Sequence, residues 1–371
     1  MSKKFNNQKK TPKLLNHSWL LIGLVLALTI FGVIMVGDAS VAEAYRDFGD
    51  KYYYFRLQGQ WALIGLAAFI FFCLFDYRHL KKLATPLLVF TLISLILVLI
   101  PGFSERILGA KRWIGIGLIR FQPAELAKIS LSIYFASFFT SRKKILPFMG
   151  IVGLVIILVM LEPDLGTSLI IVAISLAIYF VSGSPMIYLG GALTIGGVIG
   201  SFLILFSSYR RERLLTFFNP SGDPLGASYH IHQALIAIGS GGLWGVGLGQ
   251  SRQKYEYLPM AATDSIFAVI AEELGFVGAI ILLSVFIVFI WKCFKIARKS
   301  QGDFGRYLIV GITSWIGFQT LLNLGAMVNL VPLTGVPLPF VSYGGSSLVL
   351  LLIGAGILVN ISSQEDKLRS K

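Results

Sequence analysis

Charge is what this chain has least of. Asp, Glu, Lys and Arg make up 13% of its 371 residues, against about a quarter in a soluble domain. That shortage excludes a large soluble domain. With 56% of residues hydrophobic and a mean hydropathy of +0.78, it points to a polytopic membrane protein. Cysteine is nearly absent. Cys73 and Cys293, both at helix ends expected on the cytoplasmic side, suggest neither a disulfide framework nor a metal site. Several catalytic signatures are missing too. No GxSxG, Walker A, HExxH or CxxC pattern occurs, which argues against a serine hydrolase, an ATPase motor and a zinc protease but leaves a transporter open. Acids are scarcer than bases, 18 against 32, for a net charge of +14. On a soluble protein that balance would suggest nucleic acid. Here no soluble module exists to carry such a site, so no nucleic-acid partner is expected and the excess reads as charge held at the cytoplasmic face.

What the chain does have is apolar runs. Separated by charged or Gly/Pro-rich breaks, they give about ten candidate transmembrane helices and an all-α fold. The spans fall near 18–38, 59–75, 83–100, 122–140, 147–162, 167–182, 186–207, 265–291, 306–328 and 344–362. The fifth and sixth are broken by Pro163 and Gly166 and could form one interrupted region. The first run, about 19 residues from Ser18 to Val36, exceeds the roughly 7–15 residues of a signal-peptide core. It reads as a retained helix despite the Ala-x-Ala string at Ala42–Ala44. A cytoplasmic N-terminus puts 19 of the 32 Lys and Arg in cytoplasmic segments and 12 in outer ones, so both termini are expected inside. Residues 1–17 then form a disordered cytoplasmic N-terminus, 18–362 one membrane domain and 363–371 a cytoplasmic tail. A large outer segment, 208–264, joins helices 7 and 8. Loops of that length are usually functional. It holds the turn signal NPSGDPLG at 219–226 and an apolar stretch, Tyr229–Ile238, predicted as a short interfacial or re-entrant helix. The basic outer loops suggest an anionic ligand.

Four outward-facing sites stand out. GAKRWI (109–114) leads into FQPAELAK (121–128), where Pro123 suits a first helical turn and Glu125 and Lys128 share a helix face. Lys111 and Arg112 are either part of an interfacial anchor around Trp113 or a cationic mouth for a phosphate group. In LEPDLGT (161–167), Glu162 and Asp164 flank Pro163. They could bind a divalent cation or simply end a helix in contact with water. RRERL (210–214) offers arginine forks that match phosphate oxygens, or else a solvated helix end. The fourth is Asp264, the only acid in 258–264, at the mouth of a long apolar helix that also contains Glu272 and Glu273. An unneutralised aspartate costs about 2.5–3.5 kcal/mol near the bilayer centre and less at the interface, which makes it a functional-site candidate. It could also cap the helix. His230 and His232 lie at i,i+2, on different sides of a helix; they are not a metal pair and are expected to satisfy local hydrogen bonds.

Taken in order, GAKRWI, FQPAELAK, EPDLGT, NPSGDPLG, GSGGLWGVGLG (239–249), YLPMAATD (257–264) and PLTGVPLPFVSYGGSS (332–347) resemble the SEDS family of bacterial cell-wall proteins, which comprises FtsW, RodA and SpoVE. GVGLGQSRQKYEYLP is closer to its division branch than to its elongation branch. The resemblance implies a multi-pass protein of the cytoplasmic membrane that polymerises lipid II into glycan strands on the outer face. It also implies a class B penicillin-binding transpeptidase as partner, beside other divisome or elongasome membrane proteins, and places the family's essential acid on Asp264. Many members read His-Thr-Asp-Phe there, whereas this chain has Ala262, Thr263, Asp264 and Ser265. In the chemistry so implied, Asp264 is the general base, and Lys111, Arg112, Arg210 and Arg211 are candidate substrate contacts. Lys128 with Glu125 is a polar centre between helices. The cofactor stays open between none and a divalent cation such as Mg or Mn. A lipid II flippase and a non-catalytic scaffold for the transpeptidase are the competing expectations.

Overall fold

The structure is a computed structural model. It describes residues 16–370 except 108–109, 117–118, 142–143, 189, 192–193, 195, 198–199, 201–205, 207, 220–221, 224–225, 227 and 256. Helix α1 (Asn16–Ala39) is followed by the short α2 (Val41–Phe48), then α3 (Tyr53–Leu74), a 3-10 turn (Tyr77–His79) and α4 (Leu80–Leu99). After a small sheet come α5 (Pro123–Ser141), α6 (Ile145–Leu161) and α7 (Leu165–Val181). Beyond them are α8 (Ser208–Phe218), α9 (Tyr229–Ser240), α10 (Ile266–Lys299), α11 (Asp303–Met327) and α12 (Gly345–Ser370). Among the described residues, six stretches are long and apolar enough to cross a membrane: Ser18–Ala39, Tyr53–Leu74, Tyr77–Leu99, Ile266–Lys299, Asp303–Met327 and Gly345–Glu365. Helices α6 and α7 are apolar but shorter. The seventh expected span, 186–207, lies largely outside the described residues.

Helix α5 is the hub. It is buried along nearly its whole length and packs against α4, α7 and α11. Its start follows the sequence: Pro123 opens the first turn, where a missing N–H costs nothing. Beside it, α3 and α12 pack closely, because Gly65 and Gly356 let the backbones approach. A Cβ on Gly356 would sit 2.7 Å from the Phe69 carbonyl oxygen. Small residues at such crossings are how helices associate without a hydrophobic driving force between them.

One feature departs from the sequence reading, and two others refine it. The chain is not all-α: β1 (Ser104–Ile107), β2 (Ala110–Ile116) and β3 (Ile119–Phe121) form an antiparallel sheet in that order. Ser104 pairs with Ile114, and Ile114 pairs in turn with Phe121. β-branched and aromatic residues favour this pleated surface, but each run is too short to read as a strand by periodicity. The fifth and sixth spans are two separate helices, because Pro163 ends α6 and the Asp164 carboxylate caps α7 through the Thr167 N–H at 3.0 Å. The segment 208–264 is not a plain loop. It contains α8, which carries RRERL, and α9 at the expected apolar stretch.

Helix α10 is broken at Gly275, whose φ of 67° and ψ of −169° leave the helical region. The break frees two N–H groups and two carbonyls. All four are taken up by the glycine loop before the helix. Val246 N and Gly247 N donate to the Glu272 and Glu273 carbonyls at 3.0 Å, and Phe276 N and Val277 N donate to the Gly242 and Leu243 carbonyls at 2.9 and 3.1 Å. Irregular backbone at membrane depth needs such internal partners. The fit requires glycine at 245, where a Cβ would meet the Glu273 carbonyl oxygen at 2.1 Å.

Candidate functional site

Asp264 ends a tight turn that starts at Pro259 and leads into α10. The turn is closed by Thr263 N and Ser265 N, which donate to the Met260 carbonyl at 3.0 and 3.2 Å, and it is held in place by other segments. Tyr343 N donates to the Ala262 carbonyl at 2.8 Å, and Ser342 Oγ donates to the Thr263 carbonyl at 2.5 Å. From α11, Asn323 Nδ2 donates to the Asp264 carbonyl at 2.7 Å and to the Val336 carbonyl at 2.8 Å. The turn is thus stitched to the segment 332–344, the stretch that reads PLTGVPLPFVSYG. The Asp264 carboxylate itself is half-buried and accepts from Thr263 Oγ1 at 3.1 Å. No side-chain capping bond to α10 forms; Ser265, not Asp264, stands at the cap position.

Gly335 lies between two opposite charges. Its φ is +68°, and a Cβ there would be 3.8 Å from Asp264 Oδ2 and 3.9 Å from Arg213 Nη1. Arg213 arrives from α8 and is fixed by a bond from Nη1 to the Leu333 carbonyl at 2.8 Å. The arginine brought to Asp264 is therefore the third of the RRERL run. Arg211 is exposed, and the side chains of Lys111 and Arg210 lie outside the described part of the structure. Arg213 could have been found from the run itself, but spacing alone does not say which arginine turns inward.

His230 completes this group. Its Nε2 is 2.6 Å from Ser265 Oγ, which is itself 2.8 Å from the Pro259 carbonyl. Burial holds the imidazole below its usual pKa; Asp264 opposes that effect and Arg213 adds to it. The sequence reading gave His230 only local hydrogen bonds. The observed bond instead reaches 35 positions along the chain.

Arg112, on β2, donates through Nε to the Glu162 carbonyl at 2.9 Å and through Nη2 to the Pro163 carbonyl at 2.5 Å. It is tied to the α6–α7 turn. In that turn Asp164 is occupied by Thr167, and both carboxyl oxygens of Glu162 are buried without a partner.

Glu125 and Lys128 form the expected pair, with Nζ 2.5 Å from Oε1 and both side chains buried. Lys128 also donates to Gln319 Oε1 at 2.9 Å and stands 5.3 Å from the Trp315 ring centroid. Gln319 Nε2 donates to the Pro337 carbonyl at 2.9 Å, on the same 332–344 segment that carries Gly335. A polar line therefore runs from α5 through α11 to the backbone beside Asp264. Glu272 and Glu273 face the other way. Glu273 accepts from Gly249 N, Ser251 N and Lys254 Nζ, and Glu272 from Ser251 Oγ and Arg252 N. Lys254 also reaches Asp38 at 2.7 Å. These acids clamp the 249–254 loop.

Among the described residues no three His, Cys, Asp or Glu side chains gather to hold a metal. A divalent cation at Asp264 would have one protein carboxylate, and phosphate oxygens and water would have to supply the rest, a donor set that suits Mg.

The comparisons with known proteins agree along the length of the chain. Stage V sporulation protein E of Bacillus subtilis is 38% identical over 362 residues, covering 95% of this chain and 98% of that one. A probable peptidoglycan glycosyltransferase FtsW of Trichlorobacter lovleyi is 36% identical over 363 residues, covering 96% and 95%. Among solved structures, a chain of a peptidoglycan synthase complex that coordinates polymerization and crosslinking superposes with a TM-score of 0.76 at 29% identity, covering 94% and 98%. The rod shape determining protein RodA of Thermus thermophilus gives 0.67 at 29% identity, covering 93% and 96%. The family described as cell cycle protein, FTSW_RODA_SPOVE, matches residues 18–367, and the chain belongs to it.

Proposed function

We propose that this chain is a peptidoglycan glycosyltransferase. It polymerises lipid II into glycan strands at the outer face of a bacterial cytoplasmic membrane during cell division, with both termini inside. The observation that carries the reading is the meeting of one carboxylate and one guanidinium, Asp264 and Arg213, across Gly335. Two separate segments supply them, and a glycine of a third leaves room for a ligand.

The donor sugar sits on a lipid pyrophosphate, already a good leaving group. Asp264 takes the proton from the acceptor GlcNAc 4-hydroxyl as that oxygen attacks the donor anomeric carbon. The bond to the pyrophosphate breaks with inversion, and the pyrophosphate departs as an anion that needs no acid catalyst. A positioned general base contributes about 10²–10⁴ in rate. The Arg213 guanidinium, fixed by Leu333, presents its fork to the departing phosphates. Lys111, Arg112, Arg210 and Arg211 extend the cationic surface along which the anion enters. Asp264 would be the protein ligand of a divalent cation, which would supply charge neutralisation on the leaving group. The lipid tail lies along apolar helix faces, which is the reason for embedding a transferase in the membrane. A class B penicillin-binding protein is the natural partner, since new glycan must be crosslinked.

Reconstitution with labelled lipid II and the cognate transpeptidase tests the reading. Asp264→Asn should slow polymerisation by about 10²–10⁴ at unchanged melting temperature. A variant that polymerises at the wild-type rate removes Asp264 from the base role. If the wild type does not polymerise either, lipid II flipping or a scaffold role takes its place.

A further inference from the structure

The turn that presents Asp264 is fastened to α9 through a single side chain. Ser265 Oγ has one hydrogen and two close neighbours, the Pro259 carbonyl at 2.8 Å and His230 Nε2 at 2.6 Å. A carbonyl oxygen cannot donate. If the serine hydrogen went to the imidazole, two oxygen lone pairs would face each other at 2.8 Å. Both contacts are satisfied only when Ser265 donates to Pro259 and His230 Nε2–H donates to Ser265. The tautomer is thereby fixed, with the Nε2 hydrogen directed at the residue next to Asp264.

The charged groups that act on this imidazole are Asp264, from the turn, and Arg213, from α8. Burial and Arg213 both keep the ring neutral in the resting site. Gaining a proton would leave the Nε2–H bond to Ser265 intact. It would, however, set a second cation beside the Asp264 carboxylate, to pair with it in place of the acceptor hydroxyl.

We propose that His230 is a positioning residue for Asp264: its imidazole tethers the 259–265 turn through Ser265 and holds the carboxylate in its reactive place. This rests on Asp264 being the general base. It also gives the site an imidazole that does not come from the position before Thr263, where this chain has Ala262. The ring comes from α9 and acts through the serine that follows the acid.

Glycan polymerisation by the full-length protein with its cognate transpeptidase tests this, with kcat and KM for lipid II measured from pH 5 to 9. His230→Ala should lower kcat about 10- to 100-fold, the scale of a lost orienting contact, with KM within twofold and an unchanged melting temperature. His230→Gln, whose amide can donate to Ser265 but cannot titrate, should recover most of kcat and move the acid limb of the pH profile to lower pH. His232→Gln, two positions on, should match wild type in both. The tether is refuted if His230→Ala keeps the wild-type kcat, or if His230→Gln is as slow as His230→Ala. The charge argument is refuted if His230→Gln keeps the wild-type acid limb. Asp264→Asn separates the two levels. An active Asp264→Asn overturns the base reading and the tether's purpose with it; an inactive one beside a full-rate His230→Ala overturns the tether alone.

Discussion

Replacing Lys254 by methionine takes the cation from between two carboxylates. Its Nζ lies 2.7 Å from Asp38 Oδ1 and 2.8 Å from Glu273 Oε1, with the lysine side chain 2% exposed. Methionine keeps most of the stem, so little cavity is created. The loss is electrostatic, and removing one partner of a buried ion pair costs about 3–5 kcal/mol. Glu273 retains its bonds from Gly249 N and Ser251 N at 3.0 and 3.1 Å. Asp38 has no such support, since its Oδ2 is buried without a partner. The cost therefore falls on one orphaned carboxylate and its repulsion with Glu273, at the low end, about 3 kcal/mol. Unfolding entropy near 2.1 cal/mol/K per residue gives about 0.8 kcal/mol/K for 371 residues. Thermal unfolding in detergent should then show a drop of about 4 °C. Adding Asp38→Asn to Lys254→Met removes the orphaned charge and should recover at least half of that drop. The carboxylates hold Lys254 above its usual pKa despite its burial. In the wild type their stabilisation is complete below pH 10.5, the ordinary lysine value, and fades as pH rises through the folded value above it. A Lys254→Met protein that melts with wild type, or a double variant that melts below the single one, refutes this account of the clamp.

Two further outcomes follow from the site. Arg213→Ala should raise KM for lipid II and lower kcat, by about tenfold or more for a lost charge-assisted contact, whereas Arg211→Ala, which removes an exposed cation of the entry surface only, should raise KM by about two- to threefold and leave kcat unchanged; equal effects of the two would refute the placement of Arg213. Glu162, whose two carboxyl oxygens are buried without a partner, should be replaceable by glutamine at no loss of melting temperature, since a buried amide costs less than a buried charge, and a clear drop would refute that reading.

Much of the helical frame is legible because apolar runs of span length have few alternatives in water or lipid. The first run, the start of α5 at Pro123 and the Glu125–Lys128 pair could all be read from spacing. The sheet at 104–121 could not. Its strands are three to seven residues long and gain their stability from pairing with one another, which no local pattern records. The break in α10 was equally hidden. Gly275 looks like any tolerated glycine in an apolar helix until the loop carrying Gly245 is seen to complete its hydrogen bonds.

The candidate site was half legible for a different reason. A lone acid at a helix mouth betrays itself by its cost, so Asp264 could be named from the sequence. What surrounds it is cradled largely by backbone: the carbonyls of Ala262, Thr263 and Asp264 are held by Tyr343, Ser342 and Asn323. Neutral donors of this kind carry no compositional signal, and their sequence separations reach 81 positions. The same logic explains why Arg213 was passed over while its neighbours were chosen. A helix turns 100° per residue, so in a run of arginines only the partner segment decides which one faces the acid. Here that partner is Leu333, a carbonyl whose side chain plays no part. Charge can therefore locate a site of this type in a sequence, but its geometry is written in the glycine and proline spacing of a distant loop.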